Sequence, residues 1–64
     1  MFQMVEVVGI SPDGFSEAVK NAVDQVIKSG GKPHFFEVVE QRGSIRDGQL
    51  KEYQAIVKVA VEAS

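Results

Sequence analysis

The side chains best suited to chemistry cluster between Phe35 and Gln54 of a 64-residue chain. Phe35 and Phe36 offer flat apolar faces on which a planar ring could stack, and aromatic pairs gain about 0.5–1.5 kcal/mol beyond the area they bury. Gln54 carries an amide that donates and accepts at once, which suits the edge of a heterocycle bearing adjacent N and C=O groups. Arg42 serves equally as a surface charge or an anion contact, and His34, which follows Pro33, reads as an exposed loop residue. Each also has a plainer reading: packing for the phenylalanines, and a solvated or cross-strand-paired amide for Gln54.

No catalytic set accompanies them. Ser11, Ser16, Ser29, Ser44 and Ser64 lack a neighbouring base pattern, and the single histidine has no carboxylate that sequence alone would assign to orient it. The carboxylates do not follow the D-x-[DN]-x-[DN]-G spacing of a calcium loop. The chain has no cysteine, so disulfides and thiolate metal sites are excluded. A hard-cation site would have to form without a local signature. These residues point to binding and away from an enzyme or a metal centre.

The elements that must position them are legible from pattern. Asp47-Gly48 readily supplies the positive φ angles of a two-residue hairpin turn. After it, Tyr53, Ala55, Val57, Val59 and Val61 alternate with Glu52, Gln54, Lys58 and Glu62, the signature of a half-buried strand. Before it, FFEVVEQRGSI reads as the partner strand, in which Phe35 and Phe36 point to opposite faces. A first strand covers Phe2 to Gly9, with Val5 and Val7 on one face and Met4, Glu6 and Val8 on the other. A helix runs from about Pro12 to Ser29. Phe15, Ala18, Val19, Ala22, Val23, Val26 and Ile27 form its apolar stripe, opposite Glu17, Lys20, Asn21, Asp24, Gln25 and Lys28. Ser11 is the expected N-cap, Pro12 the first helical residue, and Gly30-Gly31 the C-terminal stop.

One helix covers one face of a three-stranded antiparallel sheet and leaves the other bare. One of the two phenylalanines packs beneath the helix with Val38. The other joins Ile56 and Ala60 on the bare face, among polar residues. That face is too apolar to be wholly wet and too polar for a core, which suggests a subunit interface lined with ligand pockets. Size argues the same way, since a domain this short buries only about 60% of its unfolded surface and usually needs help. With disulfides excluded, oligomerisation is the remaining aid. Seven basic and nine acidic residues give a net charge of −2 with no basic block, which disfavours nucleic acid. No apolar run approaches a membrane span and no leader pattern opens the chain, so a cytoplasmic location is expected.

Taken in order, VEVVGISPDGFSEAVKNAVDQ, FFEVVEQRGSI and DGQLKEYQAIVKVAVE resemble the dodecins, small flavin-binding proteins that assemble as hollow dodecamers. The resemblance implies an α+β, β-α-β-β subunit whose three-stranded antiparallel sheet partly wraps one helix, with the free face turned to neighbouring subunits. It implies flavin (riboflavin or FMN) stacked in pairs between aromatic residues of two subunits. Gln54 matches the family's glutamine that bonds the pyrimidine edge of the ring. Phe35 matches its stacking tryptophan, Arg42 an arginine near the ligand's tail, and Glu40 an acidic residue near the ribityl chain.

Three positions depart from the family pattern. Phe35 is a smaller platform than an indole. Glu62 stands where some members carry a base, which favours riboflavin over phosphorylated forms, and His34 where many carry an acid. The resemblance therefore implies a non-enzymatic, cytoplasmic flavin store that is a homododecamer. The alternative is an assembly of the same fold that binds ions or another small ligand, or is structural.

Overall fold

The computed structural model describes residues 1–63 as β1 (Phe2–Ser11), α1 (Phe15–Lys28), β2 (Pro33–Arg46) and β3 (Gln49–Glu62). The strands form one antiparallel sheet in the order β1-β3-β2. The helix therefore links the two outer strands, and β3 fills the gap between them. This is the β-α-β-β architecture expected from the pattern.

β3 is central, paired on both sides, and every second residue from Tyr53 to Val61 is apolar. Ala55, Val57 and Val59 are fully buried. They are flanked by Gly9, Val7 and Val5 of β1, and Val57 and Val59 also by Val38 and Phe36 of β2. Ala18, Ala22 and Val26 of α1 close over this face. The helix sits very close to β1: a Cβ at Gly9 would overlap the Ala18 carbonyl oxygen and crowd the Ala22 amide nitrogen. Gly9 is thus a packing residue, and the last apolar position of β1 is filled by helix backbone.

The helix start differs from expectation. Ser11 is still strand, paired with Tyr53, so β1 runs two residues past Gly9 and the helix begins at Phe15. Gly14 occupies the N-cap position and no side chain caps the helix. The buried Ser11 hydroxyl instead accepts a hydrogen bond from the Asp13 N–H at 3.0 Å, bracing the turn between strand and helix. A residue held extended by a sheet rung three residues before the N-cap position is too distant to cap the helix. The C-terminus follows the expected glycine stop, one residue early. The Gly30 and Gly31 N–H groups bond the Ile27 and Val26 carbonyls, each at 3.0 Å, with Gly30 at φ 93°.

Two polar helix residues also depart from the expected pattern. Asn21 and Gln25 reach back to β1, donating to the Ile10 carbonyl at 2.8 Å and the Val8 carbonyl at 2.9 Å. β1 is an edge strand, whose outward carbonyls have no ladder partner. Ile27, placed on the buried stripe by its spacing, is half exposed.

The hairpin turn has Asp47 at φ 55° and Gly48 at φ 73°, both positive as expected. β1 pairs with β3 no further than Tyr53, so the end of the β2–β3 hairpin projects as a two-stranded arm with Ile45 and Leu50 exposed. The subunit measures 47 × 19 × 13 Å with a radius of gyration of 12.8 Å. A compact chain of this length would have about 11 Å. An arm of two strands is marginal alone, and its form suits a subunit built to be covered by others.

Candidate ligand-binding face

The free side of the sheet takes its shape from a β-bulge in β2. Cross-strand partners share a face, and Phe35 pairs with Ala60, on the side away from the helix. Strict alternation from Phe35 would send Glu40 and Arg42 to the helix side. The pairing instead passes from Val38↔Val57 to Glu40↔Ile56, so Val39 is the extra residue. A bulge shifts side-chain parity by one. Glu40 and Arg42 therefore emerge on the free face together with Phe35 and Gln54. Phe36 and Val38 lie on the helix side, where Phe36 is half exposed beside Val19 and Val23.

Gln54 lies opposite Arg42, and its amide is engaged at both ends. The Arg42 Nε–H donates to Gln54 Oε1 at 2.9 Å, and Gln54 Nε2 donates to Glu52 Oε2 at 2.8 Å. Glu40 sits two rungs from Arg42 on the same face, beside Ile56.

Rings form the other end of the face. Phe35 meets Phe2 edge to face, with centroids 5.6 Å apart and planes at 84°. Phe2 also packs against the His34 ring at 4.9 Å. His34 is a second bulge residue, between the Pro33 and Phe35 rungs, and not the loop residue expected. Its Nε2 lies 3.1 Å from Glu62 Oε2. His34 and Glu62, the two positions expected to depart in charge, thus contact one another.

The two ends lie far apart within one subunit. Phe35 is opposite Ala60, six residues along β3 from Gln54, a separation of about 20 Å. The depressions on the surface are small: about 150 Å³ around Pro33, His34, Phe35 and Phe36, and about 180 Å³ between Phe36 and the helix. A pocket for a drug-sized ligand occupies about 300–1,000 Å³. Neither depression has room for a tricyclic ring, and a ring touching both Phe35 and Gln54 must draw them from two copies.

The sequence model of the Dodecin family matches residues 1–63. The chain belongs to the dodecin family. A curated dodecin from Thermus thermophilus is 36% identical over 59 residues, covering 92% of this chain and 86% of the relative. Among solved structures, a dodecin from Streptomyces davaonensis has a TM-score of 0.93 at 31% identity, and one from Streptomyces coelicolor 0.90 at 41%. Both alignments cover 100% of this chain and 94% of the other. A variant of the Thermus thermophilus dodecin with tryptophan replaced by phenylalanine is also similar, with a TM-score of 0.91 at 34% identity, covering 100% of this chain and 96% of that one.

This dodecin subunit carries more apolar surface on its free face than Phe35, Ile56 and Ala60 suggested. Phe2, Met4, Val8 and Ile10 of β1 are all substantially exposed there. The signal was present in the alternation of Met4, Glu6 and Val8, which extends outward to Phe2 and Ile10. Ala60 is fully buried between its neighbours Met4 and Phe35. Among the described residues no helix is long and apolar enough to cross a membrane, and no three metal-ligating side chains converge.

Proposed function

We propose that this dodecin-family protein is a non-enzymatic flavin-binding protein, a cytoplasmic homododecamer that stores and sequesters riboflavin or FMN in pockets shared between subunits. Phe35 supplies the stacking platform and Gln54 hydrogen-bonds the pyrimidine edge of the ring. Arg42 and Glu40 lie beside Gln54, towards the ligand's polar parts. The observation that carries this reading is the Val39 bulge, which brings all four side chains onto one face that the helix leaves bare. The extended subunit and the exposed apolar residues around the platform support an assembly that covers them. Stacking between rings quenches flavin photochemistry and buffers the free flavin concentration, and neither needs an acid, a base or a nucleophile.

The charges favour the neutral ligand. Glu62 lies beside His34, and Glu52 and Glu40 lie near Gln54, while Lys58 on the same face is flanked by Glu6 and Glu37, so acid outweighs base across this face. Riboflavin is therefore preferred over FMN.

Titrating riboflavin with the protein while following flavin fluorescence tests the proposal. Quenching to saturation at roughly micromolar affinity or tighter is expected, in line with a platform about 1 kcal/mol weaker than an indole. No quenching at tens of micromolar would leave a dodecin assembly whose face takes another ligand. Co-assembling Phe35→Ala with Gln54→Ala subunits tests the sharing of pockets. If each ring takes Phe35 and Gln54 from different copies, random mixing restores about a quarter of the sites; a site within one copy would restore none.

A further inference from the structure

The family resemblance assigns Arg42 to the ligand's tail, but its contact in this chain is with Gln54. We propose that Arg42 and Glu52 are positioning residues that fix the Gln54 amide for reading the ring edge, an inference that rests on the flavin reading above. The guanidinium holds the amide oxygen at 2.9 Å and the carboxylate holds the amide nitrogen at 2.8 Å. Turning the amide over would set its NH2 against the guanidinium and its oxygen against the carboxylate. Both contacts would then be repulsive, so the two charges define one orientation.

The supporting geometry is built into the sheet. Arg42 is the direct cross-strand partner of Gln54, and Glu52 is two residues before Gln54 on the same face of β3. Arg42 reaches this face only because Val39 shifts the parity of β2. Gln54 and Glu52 are half-buried, which restricts their alternatives. A primary amide has two N–H donors and two acceptor lone pairs, and this arrangement uses one of each. One donor and one acceptor remain for a ligand. That pair matches the imide edge of a flat heterocycle, where an N–H is flanked by carbonyl oxygens. A side chain oriented before binding loses less freedom on binding, so Arg42 and Glu52 raise affinity for the ring itself without requiring a tail.

The test compares lumiflavin, which has the same ring but no ribityl chain, with FMN. Wild type, Arg42→Ala, Glu52→Gln, Gln54→Ala and the double variant Arg42→Ala/Gln54→Ala are titrated as assembled proteins. Arg42→Ala and Glu52→Gln are each expected to weaken lumiflavin roughly two- to fivefold, no more than Gln54→Ala does, and the double variant to bind it no worse than Gln54→Ala alone. Unchanged lumiflavin affinity in Arg42→Ala, with FMN weakened, would make Arg42 a tail contact and overturn the proposal. Additive losses in the double variant would overturn it as well. A second readout is independent of flavin: in ligand-free protein labelled at glutamine nitrogen, the Gln54 side-chain resonances should shift and exchange faster in both single variants. If wild type binds no flavin but the two variants show this change, the flavin reading is lost and the positioning set is kept. Resonances that do not move in either variant would remove the positioning set whatever the ligand.

Discussion

At the Phe35 end of the free face, rings are held by other rings; at the Gln54 end, an amide is held by two charges. Phe2 stands edge-on to Phe35, and His34 packs on Phe2 with Glu62 at its nitrogen. The contacts around Gln54 are two hydrogen bonds to charged partners. Ring packing is tolerant, because dispersion and area burial vary smoothly with ring size. Hydrogen bonds are directional and weaken steeply with misalignment. A stacking platform can therefore exchange indole for phenyl and still stack, whereas the amide end has few equivalents. The positions that the resemblance marks as departures, Phe35, His34 and Glu62, all lie at the ring end.

The largest effect should come from a change that removes both ends together. Gly9→Val would drive a side chain into the α1 backbone, and size-exclusion chromatography should show loss of the folded assembly. Phe35→Ala should leave the assembly intact and weaken riboflavin by about 2 kcal/mol, roughly thirtyfold, by fluorescence titration. Retained affinity would mean that the platform lies elsewhere. Gln54→Ala is expected to cost about 1 kcal/mol, roughly fivefold, without changing the quenching amplitude at saturation, because stacking persists. Phe35→Trp should strengthen binding by a similar factor, and any loss would show that the space beside Phe2 is fitted to a phenyl ring. The smallest change is Glu62→Arg, which should tighten FMN about twofold and leave riboflavin unchanged, since an exposed charge contributes little. Equal effects on the two ligands would place Glu62 away from the phosphate.

Much of the fold is local in origin and could be read residue by residue. The alternation from Tyr53 to Val61 dictates a strand with one buried face. Asp47-Gly48 tolerates the positive φ angles its turn requires, and Gly30-Gly31 with Pro33 ends the helix because the chain cannot continue it there. The helix stripe is set by its period, and a single helix can cover only one side of a sheet. The bare face follows from that count. Phe35, Arg42 and Gln54 were legible as candidate binding groups from their chemistry, but assigning them together with Glu40 to one proposed site rests on family resemblance, since alternation alone would have placed Glu40 and Arg42 on the helix side.

The remaining features depend on which distant residues become neighbours. The Val39 bulge is a property of β2 and β3 in register, and it decides the face that Glu40 and Arg42 occupy. Gly9 is needed only because Ala18 and Ala22 pass directly over it. Asn21 and Gln25 look solvent-facing until an edge strand presents carbonyls without partners. Ser11 has the chemistry of a cap, yet a sheet rung with Tyr53 holds it in β1. Periodicity and turn chemistry act over a few residues of chain, so the sequence determined the elements and the buried side of β3. Register, close approach and polar pairing act across space, and only the tertiary structure decided them.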